Sequence, residues 1–289
     1  MKRWPDLLKP QSIGKAVIPP VVDFKWLQEH LGEVIVVDVR WYLDGRPGRE
    51  AYERGHIPGA VFIDLEYSLA GDGGEKVGRH PLPTPTHFAE EMSRNGIGDG
   101  AEVVAYDDAG GVIAARLVWM LRALGESAAL LDGGLQSYKG DLETGSKKPV
   151  LAKFSERSWP QSRIATIDEA CDARNIVLDA RNRDRYEGEN EPVDPRAGHI
   201  PGAINIACRE NLNPDGTFLP VPVLRQRFVE AGVGEGSAVI SYCGSGVTAC
   251  HTLLAMELAG FAPGRLFPGS WSQYSQAAER PVSTGSEPK

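Results

Sequence analysis

Four segments of this 289-residue chain occur twice in the same order, and that repetition constrains its fold more than any other feature. Val36-Val37-Asp38-Val39-Arg40 is answered by Val177-Leu178-Asp179-Ala180-Arg181, and Gly55-His56-Ile57-Pro58-Gly59-Ala60 by Gly198-His199-Ile200-Pro201-Gly202-Ala203. Val103-Val104-Ala105-Tyr106-Asp107 returns as Val239-Ile240-Ser241-Tyr242-Cys243, and the run from Leu131 to Tyr138 as Phe267 to Tyr274. The two occurrences lie about 140 residues apart each time, the length of one ordinary domain. The chain is therefore read as two copies of one unit.

Within each half, short runs rich in Val, Ile and Leu alternate with amphipathic stretches, the pattern of a mainly parallel sheet flanked by helices on both faces. The predicted class is α/β, with one domain over residues 1–145 and a second over 160–289. Asp23 predicts a helix cap, the helix running to Leu31 and stopping at Gly32, and Thr166-Ile167-Asp168-Glu169 has capping-box spacing. Val112, Leu117, Trp119, Met120, Leu121 and Leu124 suit a largely buried helix. The seam falls between Gly140 and Arg163, where Gly145 to Pro149 is polar and turn-rich. Gly71 to Pro85 and Asn213 to Pro222 stand at equivalent places and are read as ordered crossover loops, whereas Pro281 to Lys289 is expected to fray.

Lys and Arg number 31 against 39 Asp and Glu, a net charge of −8 with no long basic run, which argues against nucleic-acid and anionic-membrane partners. No apolar run approaches the ~20 residues of a membrane span, and Met1 to Pro10 lacks the apolar region of a signal peptide. The four cysteines, Cys171, Cys208, Cys243 and Cys250, form no Cys-x-x-Cys pair and no Cys/His cluster with zinc spacing. Neither a disulfide scaffold nor a metal is expected, and a reducing cytoplasm is the expected setting.

One cysteine stands apart. Ser237 to Tyr242 reads as a strand that delivers Cys243 into Cys243-Gly244-Ser245-Gly246-Val247-Thr248, and Ala249 to Leu258 reads as the helix that follows. At such a turn the glycines let the backbone curl until successive N–H groups face one centre, and the helix adds the positive end of its dipole. The backbone of Gly244, Gly246, Val247 and Thr248 is thus the predicted binding surface for an anion. Such a cradle favours the thiolate, the nucleophilic form of cysteine. The counterpart of Cys243 in the first half is Asp107, so the thiol is not needed for packing, and a reactive role is assigned to it. Cys171, Cys208 and Cys250 are read as packing residues. Phosphatases on a related fold carry Cys-x5-Arg; here Ala249 stands where arginine would, and the loop is one residue shorter, which argues against phosphoryl chemistry.

The Asp-x-Arg strand ends (Asp38, Arg40; Asp179, Arg181), the two Gly-His-Ile-Pro-Gly-Ala segments, the cysteine loop and Gly269-Ser270-Trp271 together resemble the rhodanese superfamily of sulfurtransferases in its tandem two-domain form. The likeness covers nearly the whole chain. The loop looks like the branch that uses 3-mercaptopyruvate, whereas thiosulfate-preferring relatives carry basic residues after the cysteine. The resemblance implies a catalytic second domain, a first domain that has lost its cysteine, and neither metal nor organic cofactor. It implies a small-molecule sulfur donor, a Cys243 persulfide, release of pyruvate, and a thiol, thioredoxin or cyanide as acceptor.

Roles for residues follow from the same resemblance. Arg185 is the expected carboxylate anchor, and Ser245, His80 and Glu66 form a hydrogen-bonded set, with Glu66 where the family has aspartate. A second family arginine follows a Glu-Pro pair; here Glu191-Pro192 is followed by Val193, and Arg196 is the candidate replacement. His56 and His199 recur in the half without a cysteine and are read as structural, as Trp271 is read as core. Two alternatives stay open: thiosulfate as donor on the same scaffold, and a non-catalytic sulfur-carrier or binding module. Gly244 and Ser245 cannot offset the double charge of thiosulfate, which favours the mercaptopyruvate branch.

Overall fold

The computed structural model describes residues 18–288, so the expectation for Met1 to Pro10 lies outside the described residues. Strands β1 (Val21–Val22), β2 (Ile35–Asp38), β3 (Val61–Phe62), β4 (Glu102–Tyr106) and β5 (Ser127–Leu131) form one sheet in the order β1-β5-β4-β2-β3. A second sheet, in the order β7-β6-β8-β9, is built from β6 (Ile176–Asp179), β7 (Ile204–Asn205), β8 (Val239–Tyr242) and β9 (Arg265–Leu266). All these pairings are parallel. Strands β2 to β5 correspond to β6 to β9, and the counterpart of β1 is reduced to one parallel bridge between Ile164 and Leu266. The doubled α/β architecture expected from the repeats is what the chain adopts.

Local signals act as their chemistry requires. Asp23 caps the helix Phe24–His30 by accepting the Trp26 N–H at 2.7 Å, and Thr166 and Glu169 form a reciprocal capping box. The helix Ala115–Ala123 is buried along most of its length and packs on Thr248–Leu258 of the other half. Leu117 and Met120 thereby share one apolar core with Leu253 and Met256, and the two halves are held together by burial of that surface. Glu257 adds ion pairs to Arg122 (3.2 Å) and Arg163 (3.0 Å). Among the described residues no helix is long and apolar enough to cross a membrane.

Each sheet carries the same buried ion pair at the end of its second or equivalent strand. Arg40 Nη2 lies 2.6 Å from Asp38 Oδ2 and donates to the Gly55 carbonyl at 2.7 Å; Arg181 repeats this with Asp179 (2.6 Å) and the Gly198 carbonyl (2.6 Å). The pair thus pins each strand to the Gly-His-Ile-Pro-Gly-Ala segment that follows. His56 stacks on Tyr52 and bonds its carbonyl, and His199 does the same with Tyr186, which supports the structural reading of both.

The C-terminal segment corrects an expectation. Ser283 exchanges two backbone hydrogen bonds with His199 (2.8 and 3.0 Å), and the Gly285 N–H donates to the Glu187 carbonyl at 2.8 Å. Glu143 and Gly145 make the same contacts with His56 and Glu53 in the first half. The polar composition that suggested fraying conceals an edge contact made by the backbone, which composition does not report.

Removing one partner of the buried Asp179–Arg181 pair leaves an uncompensated charge. Arg181→Ala is expected to lower stability by about 3–5 kcal/mol. Urea unfolding measures this, and an unchanged midpoint with unchanged slope would contradict the structural role given to the pair.

Candidate active site

Strand β8 ends at Tyr242, and the chain turns through Cys243 to Val247 before the helix Thr248–Leu258 begins. Gly246 makes the turn possible: its φ is +76°, and a Cβ there would stand 2.5 Å from the Pro268 carbonyl oxygen. The Gly246 N–H donates to Cys243 Sγ at 3.1 Å. The segment 269–272 clamps the loop from behind. Ser270 Oγ accepts the Cys243 N–H (3.1 Å), the Trp271 N–H donates to the Cys243 carbonyl (2.9 Å), and the Ser272 N–H to the Gly244 carbonyl (2.8 Å). Ser270 holds this position at φ 51°, where its repeat partner is Gly134 at φ 57°. A serine in the left-handed region is strained, and its hydroxyl bond to Cys243 gives that strain a purpose the sequence did not disclose.

The first half displays what such a turn binds. Asp107 occupies the equivalent place, and its carboxylate accepts four main-chain N–H groups: Ala109 and Gly111 at 2.7 Å, Ile113 at 2.8 Å and Ala114 at 2.9 Å. Burial raises this carboxyl above its ordinary range, and the four N–H donors oppose that shift. The turn is thus a cradle of N–H donors that in one copy is filled by its own carboxyl group.

Residues from the first domain complete the site around Cys243. The crossover loop from Gly71 to Pro85 docks on the cysteine loop's supports: the Arg79 N–H donates to Ser272 Oγ at 2.9 Å and Gln273 donates to the Lys76 carbonyl at 2.6 Å. Gly78 lies so close to Gly269 that a Cβ would meet its carbonyl at 2.4 Å. This brings His80 Nδ1 to 2.8 Å from Ser245 Oγ, as expected. Burial, then Arg116 and Arg79, lowers the His80 pKa from 6.5 to about 4, so the ring is neutral at neutral pH. Glu66 Oε1 stands 4.0 Å from His80 Nε2, beyond hydrogen-bond length, and accepts instead from Trp41 Nε1 at 3.1 Å. The structure joins Ser245 to His80 and leaves Glu66 beside them. A cleft of about 670 Å³ opens here, bordered by Trp41, Glu66, Arg79, His80 and Val193. Cys243 itself is 2% exposed.

Two guanidinium groups flank Gly244. Arg185 binds Glu191 (2.6 Å) and Asp194 (3.1 Å) through Nη2, and Arg79 binds the other Asp194 oxygen through Nη1 at 2.9 Å. Arg185 Nη1 and Arg79 Nη2, the nitrogens turned from those contacts, lie 3.3 and 3.5 Å from where a Gly244 Cβ would stand. A side chain at 244 would press on Arg185 and touch Arg79. Arg185 therefore sits where the sequence puts an anchor, but Arg196 does not. Its guanidinium donates to the carbonyls of Tyr274, Ser275, Ala277 and Arg280 and ties down the C-terminal segment. Open carbonyls at the end of the helix Ser270–Tyr274 attract a cation, and closeness in sequence to Glu191 gave no information about direction. Arg79, Glu191 and Asp194 were given no role by the sequence reading; for Arg79 the signal was its place beside His80 in the crossover loop.

Cys208 and Cys250 are buried, as packing residues should be, and their thiols are pushed up to about 12 by desolvation. Cys171 is exposed, which corrects its reading as a packing residue: it stands just past a one-turn helix, where its sulfur accepts from Arg280. None of the four is in a disulfide.

The model of the rhodanese-like domain matches residues 23–141 and again 164–277. The chain belongs to the rhodanese family. It is 42% identical over 264 residues to a probable 3-mercaptopyruvate sulfurtransferase of Pseudomonas aeruginosa, covering 88% of this chain and 93% of that protein. It is 40% identical over 260 residues to a putative thiosulfate sulfurtransferase of Mycobacterium tuberculosis, covering 87% and 91%. Its fold is similar to the crystal structure of the 3-mercaptopyruvate sulfotransferase SseA from Escherichia coli, with a TM-score of 0.78 and 30% identity over 88% of this chain and 100% of that one. One rhodanese-like match thus falls in each half of the chain.

A histidine held neutral by burial binds its proton less readily in the folded chain than in the unfolded one. Its contribution to stability is present above pH 6.5 and is lost as the pH falls toward 4. Over that window the unsubstituted protein is expected to lose up to about 3 kcal/mol more than His80→Asn. Urea unfolding at several pH values reads the difference, and parallel pH dependences of the two proteins would contradict it.

Proposed function

We propose that this rhodanese is a sulfurtransferase that takes sulfur from 3-mercaptopyruvate onto Cys243 and passes it to a thiol acceptor. The observation that carries the reading is the convergence on one loop of Cys243, the neutral Ser245–His80 pair and the two guanidinium nitrogens beside Gly244. Arg185 Nη1 and Arg79 Nη2 suit the donor's carboxylate. The Ser245 hydroxyl, oriented by His80, suits its neutral keto oxygen.

The Cys243 thiolate attacks the donor's sulfur, and the carbon–sulfur bond breaks with its electron pair left on carbon as the enolate of pyruvate. That carbon takes up a proton, and the donor's thiol proton leaves the new persulfide, so pyruvate departs and Cys243 holds a persulfide anion. An acceptor thiolate then attacks the outer sulfur and restores the Cys243 thiolate. The outer sulfur of a cysteine persulfide is as many bonds from the backbone as an aspartate oxygen. Asp107, with its four N–H donors, therefore resembles the persulfide state in shape and charge.

The nucleophile belongs to residues 160–289, and residues 1–145 supply His80 and Arg79 in place of a second nucleophile. Small thiols, thioredoxin or cyanide are the acceptors we propose, and a reducing cytoplasm is the setting that would keep them available. A second reading, thiosulfate as donor, is favoured by one observation: the cations absent from the loop itself are supplied by Arg79 and Arg185 from outside it.

Cys243→Ser is expected to abolish transfer and to eliminate the gain of one sulfur by intact-mass spectrometry after incubation with donor. Retained transfer would sink the reading. Arg79→Gln is expected to raise the KM for 3-mercaptopyruvate at least about tenfold with a smaller change in kcat, as loss of a charge-assisted bond predicts. Steady-state kinetics with both donors decides between them, and a kcat/KM for thiosulfate equal to or above that for 3-mercaptopyruvate would transfer the assignment to thiosulfate.

A further inference from the structure

Arg116 lies in the first turn of the helix Ala115–Ala123, in the domain without a nucleophile, and is fully buried. Its Nη1 donates to the Gly246 carbonyl of the cysteine loop at 2.8 Å. Its Nη2 donates to the carbonyls of His80 (3.1 Å) and Pro81 (3.2 Å), and Nε and Nη2 both reach the Leu69 carbonyl at 3.3 Å. One guanidinium thus ties the loop that bears Cys243 to the segment that bears His80.

Among the described residues these acceptors are neutral carbonyls, and no carboxylate pairs with Arg116. Burial lowers its pKa, yet a guanidinium keeps its charge at any ordinary pH. Carbonyl dipoles offset part of the cost of burying this cation, and an anion close by would offset more. The ionisable side chains that act on it are Cys250, which also hydrogen-bonds it, and then Cys243, whose Sγ accepts the N–H of the same Gly246 that Arg116 holds by its carbonyl. Cys250 is pushed up to about 12 and stays a neutral thiol, and Cys208 does likewise. His80 is neutral, and Arg79 and Arg185 are already paired with Asp194 and Glu191.

We propose that Arg116 is a positioning residue whose buried charge, delivered from the opposite domain, is the counter-ion of the sulfur anion on Cys243, as thiolate before transfer and as persulfide after it. This rests on Cys243 being the nucleophile but not on the identity of the donor. The same guanidinium holds the Gly246 carbonyl, so charge balance and loop geometry are coupled through one side chain.

The test is the pH profile of Cys243 alkylation by iodoacetamide, read by mass spectrometry on the full chain, which needs no sulfur donor. In Arg116→Gln the rise of the alkylation rate is expected to move up by about one pH unit or more, and Arg116→Lys is expected to recover most of that shift. A Gln profile that superimposes on the unsubstituted one overturns the proposal. Should Arg116→Gln fail to fold, thermal unfolding of the unsubstituted protein and Cys243→Ser decides. An anion stabilised in the fold makes the unsubstituted protein gain stability over the serine variant as pH rises from 6 to 9, and parallel curves overturn the proposal. If transfer from 3-mercaptopyruvate fails while the alkylation shift is present, the donor assignment falls and this one stands.

Discussion

Both halves of the molecule are organised by a strand-to-helix turn: in the first its main-chain N–H groups converge on the Asp107 carboxylate, and in the second the Gly246 N–H donates to Cys243 Sγ. Asp107 fills the turn of the first half, with four N–H groups on its two oxygens. Cys243 stands at the equivalent place in the second, with one N–H on its sulfur. The first copy is thus filled by its own side chain, and the second holds the smaller side chain of the proposed nucleophile. The glycine at 246 and the strained Ser270 are local consequences of holding the chain in that turn.

The same duplication makes each half a partner for the other. The crossover loop of the first domain docks on segment 269–272 behind the cysteine, and that of the second docks on the Asp107 side, where the Phe218 N–H donates to Asp132 at 2.7 Å. Symmetry of docking with asymmetry of chemistry explains why the domain lacking a nucleophile is retained in the site. It contributes His80 and Arg79 directly, and Arg116 from below, while the shared core between Ala115–Ala123 and Thr248–Leu258 keeps these groups at fixed distance. The cationic groups around the cysteine loop differ in their commitments: Arg185 and Arg79 share Asp194, whereas Arg116 has no carboxylate partner among the described residues and meets carbonyls and the Cys250 thiol.

Some of this was legible in the residues. Asp23 and Thr166 announce their caps because the backbone N–H that each side chain accepts lies only three residues along the chain. The cysteine loop is legible because its geometry is local: a strand, two glycines and a helix within a short span. Ser245 and His80, far apart in sequence, came from a family resemblance, and the structure brings them to 2.8 Å. Glu66 came from the same source and stops at 4.0 Å, where the longer arm bonds Trp41 instead. Arg196 failed for a different reason, since direction out of a loop is set by whichever acceptors surround it, here four carbonyls of the C-terminal segment.

The repeats alone determined that two α/β units of one design follow each other, and Asp107 opposite Cys243 marked which of them carries the proposed nucleophile. Those features depend on periodicity and on short-range turn chemistry, which the order of residues encodes directly. The tertiary structure decided which cations face Gly244, that Arg79 rather than Arg196 joins Arg185, and that Arg116 reaches across to Gly246. These depend on how one domain packs against the other, and a long, flexible arginine side chain takes its position from that packing rather than from its neighbours in the chain.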